Sequence, residues 1–187
     1  LGGLLAMLIR TELGVTWAEV FSPSFYNSMI GTHGIAMILA MILAVMGPIA
    51  NFIMPMMIGA RDMAFPRLNA LSLWLVVVAA VCLVSTLFTG GIQDGWSVYQ
   101  PLASQGPPAM LGYQMTIIVF AISTGVASIN LIVTAVTMRA KGMTWTRTPI
   151  LVYGVIAAAL MGLYAFPFFQ YAQIMALTDR IWDTSFF

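Results

Sequence analysis

The sequence has 187 residues, 61% of them hydrophobic and only 7% charged, with a mean hydropathy of +0.97. A water-soluble fold, in which about a quarter of residues carry charge, is excluded. A formal net charge of +1 offers neither a basic face for nucleic acid nor an acidic tail, so partners are to be sought in the membrane.

The first apolar run, Leu4-Leu5-Ala6-Met7-Leu8-Ile9, ends at Arg10 and is too short to span. It reads as the end, over residues 1 to 10, of a helix that begins upstream; no basic segment or cleavage site marks it as a signal peptide. Four longer apolar segments follow, near residues 28 to 58, 70 to 90, 112 to 138 and 149 to 177. Each is able to cross a hydrocarbon core that needs about 20 helical residues. The expected fold is therefore all-α, a single transmembrane domain over residues 1 to 187 built as a polytopic helix bundle. The connectors Gly14 to Pro23, Gly59 to Asn69, Gly90 to Pro108 and Arg139 to Pro149 collect the glycine, proline and charge. Cys82, the only cysteine, lies in an apolar run and reads as a small core residue.

Cations fix the expected orientation, because short cytoplasmic loops are enriched in Lys and Arg. The second and fourth connectors hold Arg61, Arg67, Arg139, Lys141 and Arg147, and are assigned to the negative side. The first and third connectors and the tail hold Glu12, Glu19, Asp94, Asp179 and Asp183, and are assigned to the positive side.

Polar residues at membrane depth are expensive and call for a function. His33, the only histidine, falls early in the first complete span between Gly31 and Gly34. Small neighbours let something bulky and flat approach, and a neutral imidazole is a good axial ligand to haem iron. The alternative is a ring bonded to a backbone carbonyl or a neighbouring helix. Arg10 is placed to reach the same layer, with a cofactor oxygen, helix carbonyls or lipid headgroups as its possible acceptors. A second cluster runs from Asn51 through Asp62 to Asn69, with Ser123, Thr124 and Asn130 further along. Asp62 reads as a carboxylate that collects protons at the mouth of the bundle, and the amides and hydroxyls as holders of a file of waters. Ordinary interhelical hydrogen bonding and an Arg61 to Asp62 pair is the competing account. In the third connector, Trp96 and Tyr99 are belt anchors or donors to an anionic group beneath them.

These residues resemble a known family, subunit I of the haem-copper oxidases, the cytochrome c oxidases in particular. The resemblance rests on Leu8-Ile9-Arg10-Thr11-Glu12-Leu13-Gly14, on Tyr26-Asn27 followed by Thr32-His33, and on the block from Pro55 to Asn69. It continues through Gly95-Trp96-Ser97-Val98-Tyr99, Ile129-Asn130 and Met138-Arg139-Ala140 to Leu177-Thr178-Asp179-Arg180. It implies that His33 is one of two axial ligands to a low-spin haem, that Arg10 bonds the formyl group of haem A, and that Tyr26, Trp96 and Tyr99 lie near the propionates. Glu12 resembles a carboxylate of a peripheral cation site. Asp62 matches the mouth of the family's D-type proton pathway, with Asn51, Asn69, Asn130, Ser123 and Thr124 on its polar positions. Arg61 stands where many members have proline, Ala70 where a second asparagine is frequent, and Thr124 where serine is found.

The resemblance further implies a twelve-helix subunit whose high-spin haem, copper ligands and second low-spin ligand all lie beyond this chain's fifth helix. The chain is then a fragment that depends on the remainder of subunit I, on subunits II and III, and on cytochrome c or quinol as electron donor. A bacterial or archaeal plasma membrane is expected rather than a mitochondrial inner membrane. A quinol oxidase of the same superfamily is the nearest alternative, and Glu12, Phe25 and Ser28 favour cytochrome c. A non-catalytic scaffold remnant is a second alternative; a transporter would show an inverted repeat, and none is visible.

Overall fold

The computed structural model of the chain describes residues 1–15, 17–42 and 47–187. Every regular element among the described residues is helical. In chain order they are α1 (Gly2–Gly14), α2 (Pro23–Met41), a π-helical turn (Ile49–Ile53) that passes into α3 (Met54–Ile58), α4 (Pro66–Thr86), α5 (Leu102–Gln105), α6 (Ala109–Thr137), a 3-10 turn (Trp145–Arg147) and α7 (Ile150–Trp182).

Three of these, α4, α6 and α7, are long and apolar enough to cross a membrane. At 1.5 Å per residue α4 is about 32 Å long, the thickness of a hydrocarbon core, while α6 and α7 exceed it by about 10 to 20 Å. Their ends therefore stand in the interface. At the start of α7 the guanidinium of Arg139 lies 3.6 Å over the Trp145 ring, and Tyr153 donates its hydroxyl to the Trp145 carbonyl. The expected span over 28 to 58 falls on α2, the π turn and α3, with residues 43–46 outside the described residues. The opening helix continues four residues past Arg10 to Gly14.

Sequence chemistry sets the boundaries. Pro23 and Pro66 open α2 and α4, where a missing N–H costs nothing. Pro55 has no N–H to donate, and immediately before it the ladder widens, Met54 N–H reaching five residues back to the Ile49 carbonyl. α3 stops at Gly59, which is left-handed at φ 76°. There Gly59 N–H meets the Met56 carbonyl and Ala60 N–H the Pro55 carbonyl, so two orphan oxygens of the helix end are satisfied.

Two compact units are distinguished, one comprising residues 1–40, 78–118 and 172–187, the other 41–77 and 119–171. The first packs around Met29, Ile92, Met110 and Tyr113, all fully buried. It holds Glu12, Glu19, Asp94, Asp179 and Asp183 against Arg10 and Arg180. The second is centred on Met54, Ile58, Met63, Ala135 and Val152. It holds Arg61, Arg67, Arg139, Lys141 and Arg147 against Asp62 alone. Outward faces are apolar instead of polar, with Leu73, Trp74, Val77 and Val81 exposed on α4 and Leu160, Met161, Tyr164 and Phe168 on α7. Such surfaces suit hydrocarbon or further helices.

Gly59 is required twice, since a Cβ there would also stand 2.9 Å from Ala140 Cβ. Gly59→Ala is expected to cost roughly 1–2 kcal/mol from the left-handed backbone alone, read as a lowered midpoint of thermal unfolding. An unchanged midpoint would refute the assignment.

Candidate functional site

In the first unit, α1 begins against the middle of α2. The Gly2 carbonyl oxygen lies 2.8 Å from His33 Nδ1, and a Cβ on Gly2 would meet Met37 Sδ at 2.6 Å. A carbonyl only accepts, so Nδ1 carries the proton and the lone pair of the neutral ring is left on Nε2. The carbonyl bond anticipated as an alternative to metal ligation is therefore present, yet it engages only one of the two ring nitrogens. It is the same kind of bond that orients metal-bound histidines. His33 is half-buried, and Leu4 and Met7 on α1 and Ile30 and Met37 on α2 expose apolar side chains. One donor nitrogen and nearby apolar side chains on α1 and α2 are the residue types that would hold a large apolar macrocycle. Among the described residues no three His, Cys, Asp or Glu side chains gather as a metal site.

The glycines flanking His33 serve a different neighbour from the flat ligand that the sequence suggested. A Cβ on Gly31 would run into the Ile92 carbonyl oxygen, and one on Gly34 would stand 2.7 Å from Trp96 Cβ. They admit the connector between α4 and α5, which Ser28 also holds by donating its hydroxyl to the Gly90 carbonyl at 3.2 Å. Trp96 is 54% exposed and Tyr99 75%. The Trp96 carbonyl accepts from the buried Tyr113 hydroxyl at 2.9 Å. Tyr26 lies seven residues before His33, two turns away on the same face and about 10 Å along the axis. It lines a hollow of about 370 Å3 with Glu12, Glu19 and Phe21. Arg10 is exposed, eight residues and about 12 Å along α1 from Gly2. Glu12 Oε2 accepts the N–H groups of Val20 and Phe21, closing the connector between α1 and α2.

In the second unit, a cleft of about 790 Å3 brings together Asn51, Asn69, Ser123 and Thr124, with Ser72 and Ser128 beside them. The rest of its wall is largely aliphatic. Asn51 sits in the π turn; its Nδ2 donates to the Gly47 carbonyl at 2.9 Å, while its Oδ1 is buried with no partner among the described residues. Ser72 donates to the Asn69 carbonyl at 2.8 Å, Ser123 to the Ser72 carbonyl at 2.7 Å, and Thr124 to the Phe120 carbonyl at 2.9 Å. Each hydroxyl keeps lone pairs that can accept from water.

Asp62 and Asn130 stand outside this cleft. Asp62 is exposed, and its Oδ1 accepts from Met63 N–H at 2.7 Å. Asn130, fully buried, spans the backbone of Phe65: Oδ1 accepts its N–H at 2.9 Å and Nδ2 donates to its carbonyl at 3.1 Å. Thr134 Oγ1, one turn on, accepts from Ala64 N–H at 2.9 Å. The loop that carries Asp62 is thus stapled to α6. Ser72, Ser128 and Thr134 were not anticipated. The spacing of Asn130 and Thr134 on one helix face was the available signal for Thr134.

The family model described as "Cytochrome C and Quinol oxidase polypeptide I" matches residues 1–187. Over 189 residues the chain is 36% identical to a cytochrome c oxidase subunit 1 of Thermostichus vulcanus, covering 100% of this chain and 34% of that protein. It is 39% identical over 186 residues to a putative cytochrome c oxidase subunit 1-beta of Streptomyces coelicolor, covering 96% and 32%. With a heme-copper oxidase subunit I+III of Aeropyrum pernix it shares 33% over 192 residues, covering 100% and 24%. The chain spans about a third or less of the length of these relatives.

Asn130→Ala would strand the N–H of Phe65, while its carbonyl keeps the Asn69 N–H at 3.1 Å, at a cost of about 1–3 kcal/mol for a buried group left unsatisfied. The expected outcome is a lower unfolding midpoint together with faster proteolysis between Ala60 and Phe65. A variant as protease-resistant as the parent would show that Asn130 does not hold the loop.

Proposed function

Because the chain belongs to the cytochrome c and quinol oxidase polypeptide I family, and is an integral membrane protein, we propose that it forms part of the core of a proton-pumping terminal respiratory oxidase. Two services fall to this part: one axial ligand to a low-spin haem, and the lower section of a D-type proton pathway. The His33 to Gly2 bond carries the first reading, since it fixes the ring and leaves Nε2 as the free donor. Bound there, a haem supplies reversible one-electron chemistry. The chain's own residues hold and insulate it: His33 by its oriented nitrogen, Arg10 by a guanidinium at the macrocycle's edge, suited to a formyl oxygen of haem A, and Trp96, Tyr99 and Tyr26 near the propionates. The high-spin haem, the copper and the second axial ligand belong to the remainder of subunit I, with subunits II and III completing the assembly.

The second service rests on the cleft that Asn51, Asn69, Ser123 and Thr124 share. Asp62 takes protons at the surface, and waters held by these amides and hydroxyls pass them inward. Asn130 acts by holding the Asp62 loop at the foot of the path. Cytochrome c is favoured as donor over quinol because Ser28 is buried and engaged with Ser24 and Gly90, which removes it from contact with a quinol. The organisms of the compared relatives agree with a bacterial or archaeal plasma membrane.

In the complete oxidase, His33→Ala is expected to abolish the reduced low-spin haem band; a retained band would refute ligation. Asp62→Asn is expected to reduce turnover and proton release per electron to a small fraction, and unchanged pumping would remove Asp62 from the pathway.

A further inference from the structure

Two buried polar atoms of opposite charge remain near the start of α6, outside both sets above. Arg180, in the last turn of α7, donates through Nη2 to the carbonyls of Gly106 and Pro107 at 2.9 and 3.0 Å. Its Nη1 is buried without a partner among the described residues. Asp94 Oδ2 is buried and unpartnered in the same sense, and stands 3.2 Å from where a Gly106 Cβ would be. Carboxylate and guanidinium therefore converge on one residue that has no side chain to keep them apart. The other nearby carboxylate, Asp179, is taken by the Thr184 hydroxyl and by the N–H groups of Phe186 and Phe187.

A guanidinium cannot shed its charge, and a buried charge without compensation is strongly destabilising. One water answers both leftovers, accepting from Nη1 and donating to Oδ2. We propose that Asp94 and Arg180 form a buried charge pair bridged by a water molecule against Gly106, which pins the Trp96 loop to the end of α7. The loop is already held on α2 at Ser28, Gly31 and Gly34. The pair fixes it from the other direction, so Asp94 is a positioning residue for Trp96.

The sign of one substitution separates this from a lone desolvated carboxylate. Burial by itself raises the Asp94 carboxyl above its usual range, so an unpaired Asp94 costs stability as pH climbs past the unfolded value, and Asp94→Asn would stabilise the protein at neutral pH. A paired Asp94 gives the reverse. In the complete oxidase, Asp94→Asn and Arg180→Gln are each expected to lower the midpoint of thermal inactivation by several degrees. The double variant is expected to be no worse than the weaker single, and Asp94→Glu to retain more of the midpoint than Asp94→Asn. A raised midpoint in Asp94→Asn, or losses that simply add in the double variant, would overturn the pair. Should Arg180→Gln fail to assemble, the sign of the Asp94→Asn shift decides alone. A shifted low-spin haem potential in Asp94→Asn is the positioning readout. It rests on His33 being the ligand, an assignment that His33→Ala tests separately while the thermal coupling still judges the pair.

Discussion

Inside a bilayer no water stands by to satisfy a stray polar group, so each must find its partner within the protein. The hydroxyls of Thr11, Thr116, Thr124, Thr134 and Thr137 all turn back to the carbonyl four residues earlier. Ser123 crosses to α4, and Asn130 spends both ends of its amide on Phe65. Among the described residues several buried atoms still lack a partner, Asn51 Oδ1 in the wall of the cleft and Asp94 Oδ2 and Arg180 Nη1 among them, and only Nδ1 of the His33 ring is engaged.

The same constraint explains how one helix serves two purposes. α6 is polar at intervals along its length, yet Tyr113 fixes the Trp96 loop, Ser123 ties to α4 and Thr124 faces the cleft, while Asn130 and Thr134 hold the Asp62 loop. None of these side chains is spent on solvent. Stapling the Asp62 loop from two successive turns of one helix keeps an exposed carboxylate at a fixed place.

Much of this was legible in the sequence. Long apolar runs bounded by Gly and Pro give α4, α6 and α7 directly, because hydropathy is the dominant energy in a membrane. His33 and the Asn51 to Asn69 block stood out as polar residues at a depth where polarity is costly. What the sequence hid was pairing over distance. Gly31 and Gly34 look like room for a cofactor, but the space belongs to Ile92 and Trp96, more than fifty residues on. Asn130 looked like a member of the water file, and its actual partner, the backbone of Phe65, carries no side-chain signal. The π turn before Pro55 was equally hidden, since a missing N–H can be absorbed by a kink, a break or a widened turn.

The proposed haem ligation turns on which nitrogen of His33 is free. The most direct measurement is a structure of the complete oxidase at a resolution that separates the two ring nitrogens and the iron. It should show His33 Nε2 on the iron of the low-spin haem with Nδ1 still bonded to the Gly2 carbonyl. Iron held by two other axial ligands, with Nε2 bonded to protein or water, would contradict it.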